Sequence, residues 1–182
     1  MMAAGGPPAP PGCDGRRKMS RTRRNLSVFV ANRPGALARI AQTFSRRGYN
    51  IESLVVSAGA REGFSRMTIT ADGDEAGWEQ IIAQCGKLVD VVACRCHEDE
   101  AAVVRELALV KIRVDAAHRA EALQIADHFR AKTMDLTETS MVLEATGSPG
   151  KIDAMVGLLR KFGIVELVRT GKVLMARGEA ET

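Results

Sequence analysis

Aromatic residues are scarce: Phe, Tyr and Trp make up 4% of 182 residues, with one Trp and one Tyr. The core must therefore be built from Val, Leu, Ile, Ala and Met, within a hydrophobic content of 46%. No apolar run approaches the roughly 20 residues that span a bilayer, which excludes a membrane helix. The four cysteines, Cys13, Cys85, Cys94 and Cys96, make a poor disulfide framework, because Cys85 falls on an apolar helical stripe and no secretory segment precedes the body. Reduced thiols and a cytoplasmic setting fit better. Cys94, Cys96 and His97 look like a metal cluster only briefly. Along a strand the two cysteines share one face and His97 takes the other, and no second Cys/His pair completes a tetrahedron.

Catalytic signatures are missing as well. The three histidines, His97, His118 and His128, belong to no triad or metal-ligand spacing, and there is no nucleophile elbow, P-loop or dinucleotide-binding glycine pattern. Bond-making needs a nucleophile with a base, paired carboxylates, a metal or a cofactor. With no site of its own for such chemistry, the chain reads as a binding or regulatory protein rather than an enzyme. The net charge of +4 does not argue for nucleic acid, since much of the excess sits between Arg16 and Arg24, and the modest basic helix face of Arg39, Arg46 and Arg47 has no aromatics interleaved with it.

Residues 1–24 are rich in Pro, Gly, Ala and Arg without hydrophobic periodicity, and read as a disordered extension. Met19 is an alternative start, and an organelle transit function is disfavoured by the scarcity of Ser and the lack of an amphipathic stripe. From residue 25 the periodicity predicts strands over 25–31, 51–57, 65–71 and 88–94, a helix over 37–47 that buries Leu37, Ile40, Ala41 and Phe44, and a second helix capped by Asp72 to Asp74, striped by Trp78, Ile81, Ile82 and Cys85 and ended by Gly86. That is the β-α-β-β-α-β order of ferredoxin-like folds, with two helices on one face of a four-stranded sheet. Leu26, Val28 and Val30 with Phe29 on the opposite face imply that something covers the sheet's other side. The order repeats after residue 104: strands over 108–114, 133–138, 140–146 and 164–169, and helices striped by Ala122, Ile125 and Phe129 and by Ile152, Met155 and Leu159. The fold class is α+β, two consecutive ferredoxin-like modules: residues 25–97, a linker at 98–104, residues 105–178, and a tail at 179–182.

The stretch Asn32-Arg33-Pro34-Gly35-Ala36-Leu37 joins the first strand to the first helix. Asn32 is expected to cap the helix start with its amide, Pro34 to preset a helical φ, and Gly35 to let a ligand or backbone approach. Unpaired N–H groups and the positive dipole end there suit a carboxylate. A plain capped turn is the competing explanation. Against it, the second module makes the same connection with Asp115-Ala116-Ala117-His118, without Gly or Pro.

The runs Asn32-x-x-Gly35-Ala36-Leu37, Arg47-Gly48-Tyr49-Asn50-Ile51-Glu52-Ser53-Leu54, Ser65-Arg66-Met67-Thr68-Ile69, Lys87-Leu88-Val89-Asp90-Val91 and Leu109-Val110-Lys111-Ile112 resemble the small, regulatory subunits of acetolactate synthase. The resemblance implies an N-terminal ACT domain and a C-terminal ACT-like domain. It implies a non-catalytic partner of a large subunit that carries thiamine diphosphate, Mg and FAD and joins two pyruvates to 2-acetolactate in branched-chain amino-acid synthesis. No cofactor is expected on this chain. The resemblance further implies activation of the large subunit and feedback inhibition by valine. Valine would be held between ACT domains of a homodimer, by Asn32, Gly35, Ala36 and Leu37 of one copy and Asn50 and Ile51 of the other. The Asn-x-x-Gly turn alone is shared by many ACT modules, so a free-standing amino-acid sensor acting on another enzyme or a transcription factor is the alternative.

Overall fold

The computed structural model describes residues 22–97, 101–179 and 181–182. Within the first module the chain runs β1 (Thr22–Ala31), α1 (Ala36–Ser45), β2 (Ile51–Ala58), β3 (Phe64–Gly73), α2 (Glu75–Cys85) and β4 (Val91–His97). The second runs β5 (Ala102–Arg113), α3 (Arg119–His128), β6 (Lys132–Leu136), β7 (Ser140–Gly147), α4 (Pro149–Leu159) and β8 (Ile164–Arg169), followed by β9 (Val173–Ala176). Both sheets are antiparallel, ordered β2-β3-β1-β4 and β6-β7-β5-β8. The two modules thus share one topology, as the sequence repeat implies.

Alternation builds each core. Leu26, Val28 and Val30 of β1 lie opposite Ile69, Met67 and Ser65 of β3, and this face packs beneath Ile40, Phe44, Trp78 and Ile81. In the second module Val110 and Ile112 pair with Leu143 and Met141 under Ile152, Met155 and Leu159. Each fully buried aliphatic side chain contributes about 1.5–3 kcal/mol of transfer free energy, so the stripes dictate which face turns inward. Helix α1 ends in a Schellman motif, with Tyr49 N–H donating to Phe44 O (3.1 Å) and Gly48 N–H to Ser45 O (3.0 Å).

Several boundaries differ from the sequence expectation. β1 starts at Thr22 rather than at residue 25, because the basic run finds carboxylates there: Arg23 pairs with Glu52 and Asp72, and Arg24 with Glu75. The expected extension otherwise lies outside the described residues. β5 begins at Ala102, inside the expected linker, and residues 98–100 of that linker are likewise outside the described residues. Its first residues, Ala102 to Arg105, pair with Ala176 to Val173 of β9, a strand the sequence does not announce. β4 starts at Val91; Leu88 instead closes a turn through Val91 N–H to Leu88 O (2.9 Å). On the first sheet's other face Asn25, Ser27, Thr68 and Thr70 are buried and polar. The chain's own segment after β8 approaches that face, with Arg95 donating to Glu181 O (2.7 Å) and Gly171 lying against Ser53 and Val55.

Candidate functional site

The turn between β1 and α1 is pinned on both flanks. Ala31 N–H donates to Asp90 O and Asn32 N–H to Gly63 O, both at 2.8 Å. Arg33 to Ala36 then form a turn closed by Ala36 N–H to Arg33 O (3.2 Å), with Gly35 at φ 84°, ψ −9°. Those are the angles of the third position of a type II turn, which an L side chain adopts only with strain, and Pro34 occupies the position that turn favours for proline. Pro34 is therefore a turn residue, not the first residue of the helix.

Two further expectations are corrected. Asn32 does not cap α1: no side chain does, the N-cap position is Gly35, and Asn32 is exposed. It lies three residues before the N-cap, and the N-cap is the position from which a side chain reaches the first-turn N–H groups. Leu37, expected on the buried stripe, is 40% exposed, whereas Ala36 takes the core position at 3%. Ala36 can thus offer only its backbone to a ligand, and its N–H is already spent on Arg33.

What remains at the turn is directional. Arg39 N–H returns to Gly35 O (3.1 Å), while among the described residues no acceptor takes the N–H of Leu37 or Ala38. These helix-start donors carry the positive end of the α1 dipole. The Arg39 guanidinium lies over the turn, 3.1 Å from where a Cβ on Gly35 would sit. Asp90, whose side chain is 11% exposed, holds it there by accepting from Arg39 Nε at 2.8 Å. Sequence reasoning places Arg39 only on a modest basic helix face and does not pair it with Asp90; the one further signal is that this arginine stands one helical turn after Gly35.

Asn50 is exposed at the entry of β2, and Ile51 packs partly against the first core. Tyr49 fixes this entry by donating to Asp74 Oδ1 (2.9 Å), the oxygen that also caps α2 at Gly77 N–H (2.9 Å). A Cβ on Gly77 would stand 1.6 Å from Tyr49 Oη and 2.5 Å from Asp74 Oδ1, so any other residue there must displace this pair. Within one chain the six predicted residues do not meet. Ile51 pairs with Ala71, the partner of Arg24, whereas the turn leaves β1 at Ala31, opposite Phe64. At about 3.3 Å per residue along β1 the two halves lie roughly 23 Å apart, at opposite ends of the sheet.

In the second module Asp115 Oδ1 accepts from His118 N–H (2.9 Å) and bonds His118 Nδ1 (2.8 Å), but His118 is itself the N-cap of α3 and no side chain caps that helix either. Cys94 and Cys96 face the first core, and His97 turns to the other face, where its Nε2 meets Ser27 Oγ at 2.6 Å. Among the described residues no group of three or more His, Cys, Asp or Glu side chains could hold a metal ion, and no helix is long and apolar enough to cross a membrane.

Burial, with Arg95 and Arg66 nearby, holds the His97 imidazole below its ordinary pKa of 6.5. The unfolded chain therefore takes up this proton first, and stability is expected to fall as pH drops below about 6.5, levelling once folded His97 is also protonated. Denaturation midpoints across pH 5–8 should show this slope in the natural chain and a flatter profile in His97→Gln.

Residues 105–178 match the family model described as the small subunit of acetolactate synthase, and residues 26–93 match that of the AHAS small subunit-like ACT domain. An acetolactate synthase small subunit of Mycobacterium bovis is 43% identical over 160 residues, covering 88% of this chain and 95% of the relative. A probable acetolactate synthase small subunit of Methanothermobacter thermautotrophicus is 44% identical over 154 residues, covering 84% and 92%. Among solved structures, the acetolactate synthase small subunit of Thermotoga maritima superimposes with a TM-score of 0.80 at 36% identity, covering 87% of this chain and 99% of that one.

Proposed function

This chain belongs to the acetolactate synthase small-subunit family, and on that premise we propose that it activates a thiamine-diphosphate-dependent large subunit and makes it subject to feedback inhibition by valine. Thiamine diphosphate, Mg and FAD belong to the large subunit in this reading, and the complex works in the cytoplasm.

The observation that carries the valine site is the open α1 start. Leu37 and Ala38 offer a carboxylate two N–H groups that no described residue takes up, and the exposed Leu37 side chain lies beside them. Asn32 and Asn50 have exposed amides whose oxygens suit an ammonium group, and Leu37 with Ile51 suits an isopropyl group. The two halves come together only when a second copy places its Asn50 end against the first copy's turn. β2 is an edge strand with Val56 45% exposed, which fits side-by-side pairing of the sheets. An apolar pocket separates homologous side chains by only about 1–3 kcal/mol, so leucine and isoleucine are expected to act more weakly. Valine then regulates by its differential affinity for two arrangements of this dimer.

Calorimetric titration of valine into the purified chain, with capture of its partner from the native cell extract, tests this reading. Saturable binding and a large thiamine-diphosphate enzyme in the captured fraction are expected. Capture of another enzyme or a DNA-binding protein in its place would instead establish the free-standing sensor.

A further inference from the structure

The second module touches the first at a point two residues beyond Ile51. The connection from β8 to β9 is anchored firmly on its own module: Thr170 N–H donates to Leu107 O (3.0 Å), and Leu107 N–H donates back to Thr170 Oγ1 (3.2 Å). Just before it, Arg169 grips Glu106 through two bonds of 2.6 and 2.7 Å and reaches Asp153 at 2.7 Å. Gly171 then projects onto β2 of the other module. A Cβ on Gly171 would stand 2.8 Å from Ser53 Cβ and 3.0 Å from Ser53 Oγ, and φ there is +85°. Only glycine lets the backbone come this close.

The contact has an internal cost. Ser53 Oγ is buried and has no hydrogen-bond partner among the described residues, and a hydroxyl taken from water without a partner disfavours the state that buries it. The strand beneath is also irregular: pairing with β3 shifts register between Ile51 and Ser53, so Glu52 is the extra residue of a bulge. Arg23, Glu52, Ser53, Glu106, Arg169 and Lys172 line a cleft of about 480 Å³ beside the contact, through which water can reach Ser53 once the loop lifts. A rigid loop pressed on a bulged edge strand, with one buried hydroxyl left unsatisfied, is a contact that carries its own opposing cost.

We propose that residues 170–172 form a releasable latch on β2, through which effector occupancy at Asn50 and Ile51 reaches the second module. The effector role rests on the valine reading above; the latch itself does not. An occupied site holds the start of β2 in its docked register and keeps the loop down. An empty one lets the bulge relax, Ser53 hydrate and the loop lift.

Backbone hydrogen exchange of the full chain at Gly171, Lys172 and residues 53–55, with and without valine, tests this. Ser53→Ala removes the dry hydroxyl and is expected to slow exchange at Gly171 and Lys172 by about tenfold. Gly171→Ala adds a methyl group into Ser53 and is expected to speed it by a similar factor. Saturating valine should slow the same amides in the natural chain but not in Gly171→Ala, although calorimetry still shows that variant binding valine. Ser53→Ala removes one atom and adds none, so its sign decides the latch even where Gly171→Ala does not fold. Unchanged exchange in Ser53→Ala overturns the latch. Valine bound by the natural chain with no change at Gly171 and Lys172 overturns its regulatory role and leaves the valine site standing. No valine binding by the natural chain removes the effector reading, while opposed shifts in the two variants still establish the latch.

Discussion

Gly35→Ala is expected to raise the valine concentration for half-inhibition of the reconstituted enzyme by at least about tenfold, with activation of the large subunit retained. An L side chain in the left-handed conformation costs about 1–2 kcal/mol, and a Cβ at Gly35 would crowd the Arg39 guanidinium at 3.1 Å. The turn can relieve this strain by flipping the Pro34–Gly35 peptide, which shifts Gly35 and the start of α1 and so displaces the Leu37 and Ala38 N–H groups from the proposed carboxylate position. Activation should survive because the turn is a surface feature and the core residues Ile40 and Phe44 are untouched. Asn32→Ala should act in the same direction by removing an exposed amide without disturbing the turn. Steady-state inhibition curves for both variants check the assignment, and full valine sensitivity in both would show the site to be elsewhere.

Arg169→Ala is expected to have the largest effect on stability, a loss of about 3 kcal/mol from the second module's unfolding free energy. Glu106 is the reason: its side chain is 5% exposed, and Arg169 supplies both hydrogen bonds that satisfy its carboxylate. Removing one member of such a pair leaves a charge buried and uncompensated, which typically costs about 3–5 kcal/mol, and the 31% exposure of Arg169 places this pair at the lower end. Urea denaturation followed by far-UV circular dichroism measures the loss. The double replacement Glu106→Leu with Arg169→Met should recover most of it, because apolar groups of similar volume need no partner. If Arg169→Ala unfolds no more easily than the natural chain, the carboxylate is solvated in a way its burial does not indicate.

Residues whose packing is dictated by periodicity are legible in the amino-acid order itself. The stripes of α1, α2 and α4, the alternation of β1 and β5, and the repeat of the whole module follow from apolar spacing alone, because the core face is the dominant favourable term. What that spacing leaves unannounced is set by partners distant in sequence. β1 extends back to Thr22 because Glu52, Asp72 and Glu75 neutralise its arginines, and no local pattern announces carboxylates 29 or more positions away. β9 is only four residues long, and it forms because the start of β5 offers it a free edge. At the turn, the glycine and proline are readable as a special backbone site. The capping role expected of Asn32 is not realised, since a type II turn places Gly35 at the helix start and leaves the asparagine outside it. Leu37 falls one position off the buried stripe for the same reason: with the helix starting at Ala36, it is Ala36, Ile40 and Phe44 that point inward.

The separation of the turn from Asn50 by the length of the sheet has a combinatorial consequence. In the proposed arrangement a twofold pair of such chains would hold two composite sites, each made of one copy's turn and the other copy's β2 entry. A chain damaged at Asn32 and a chain damaged at Asn50 would then each bind valine weakly when paired with themselves. Mixed, they place both lesions in one site and leave the other whole. Equal mixtures of the two variants should therefore regain valine binding at half the sites of every mixed pair, as measured by calorimetry after subunit exchange, a genetic complementation carried out within one protein interface.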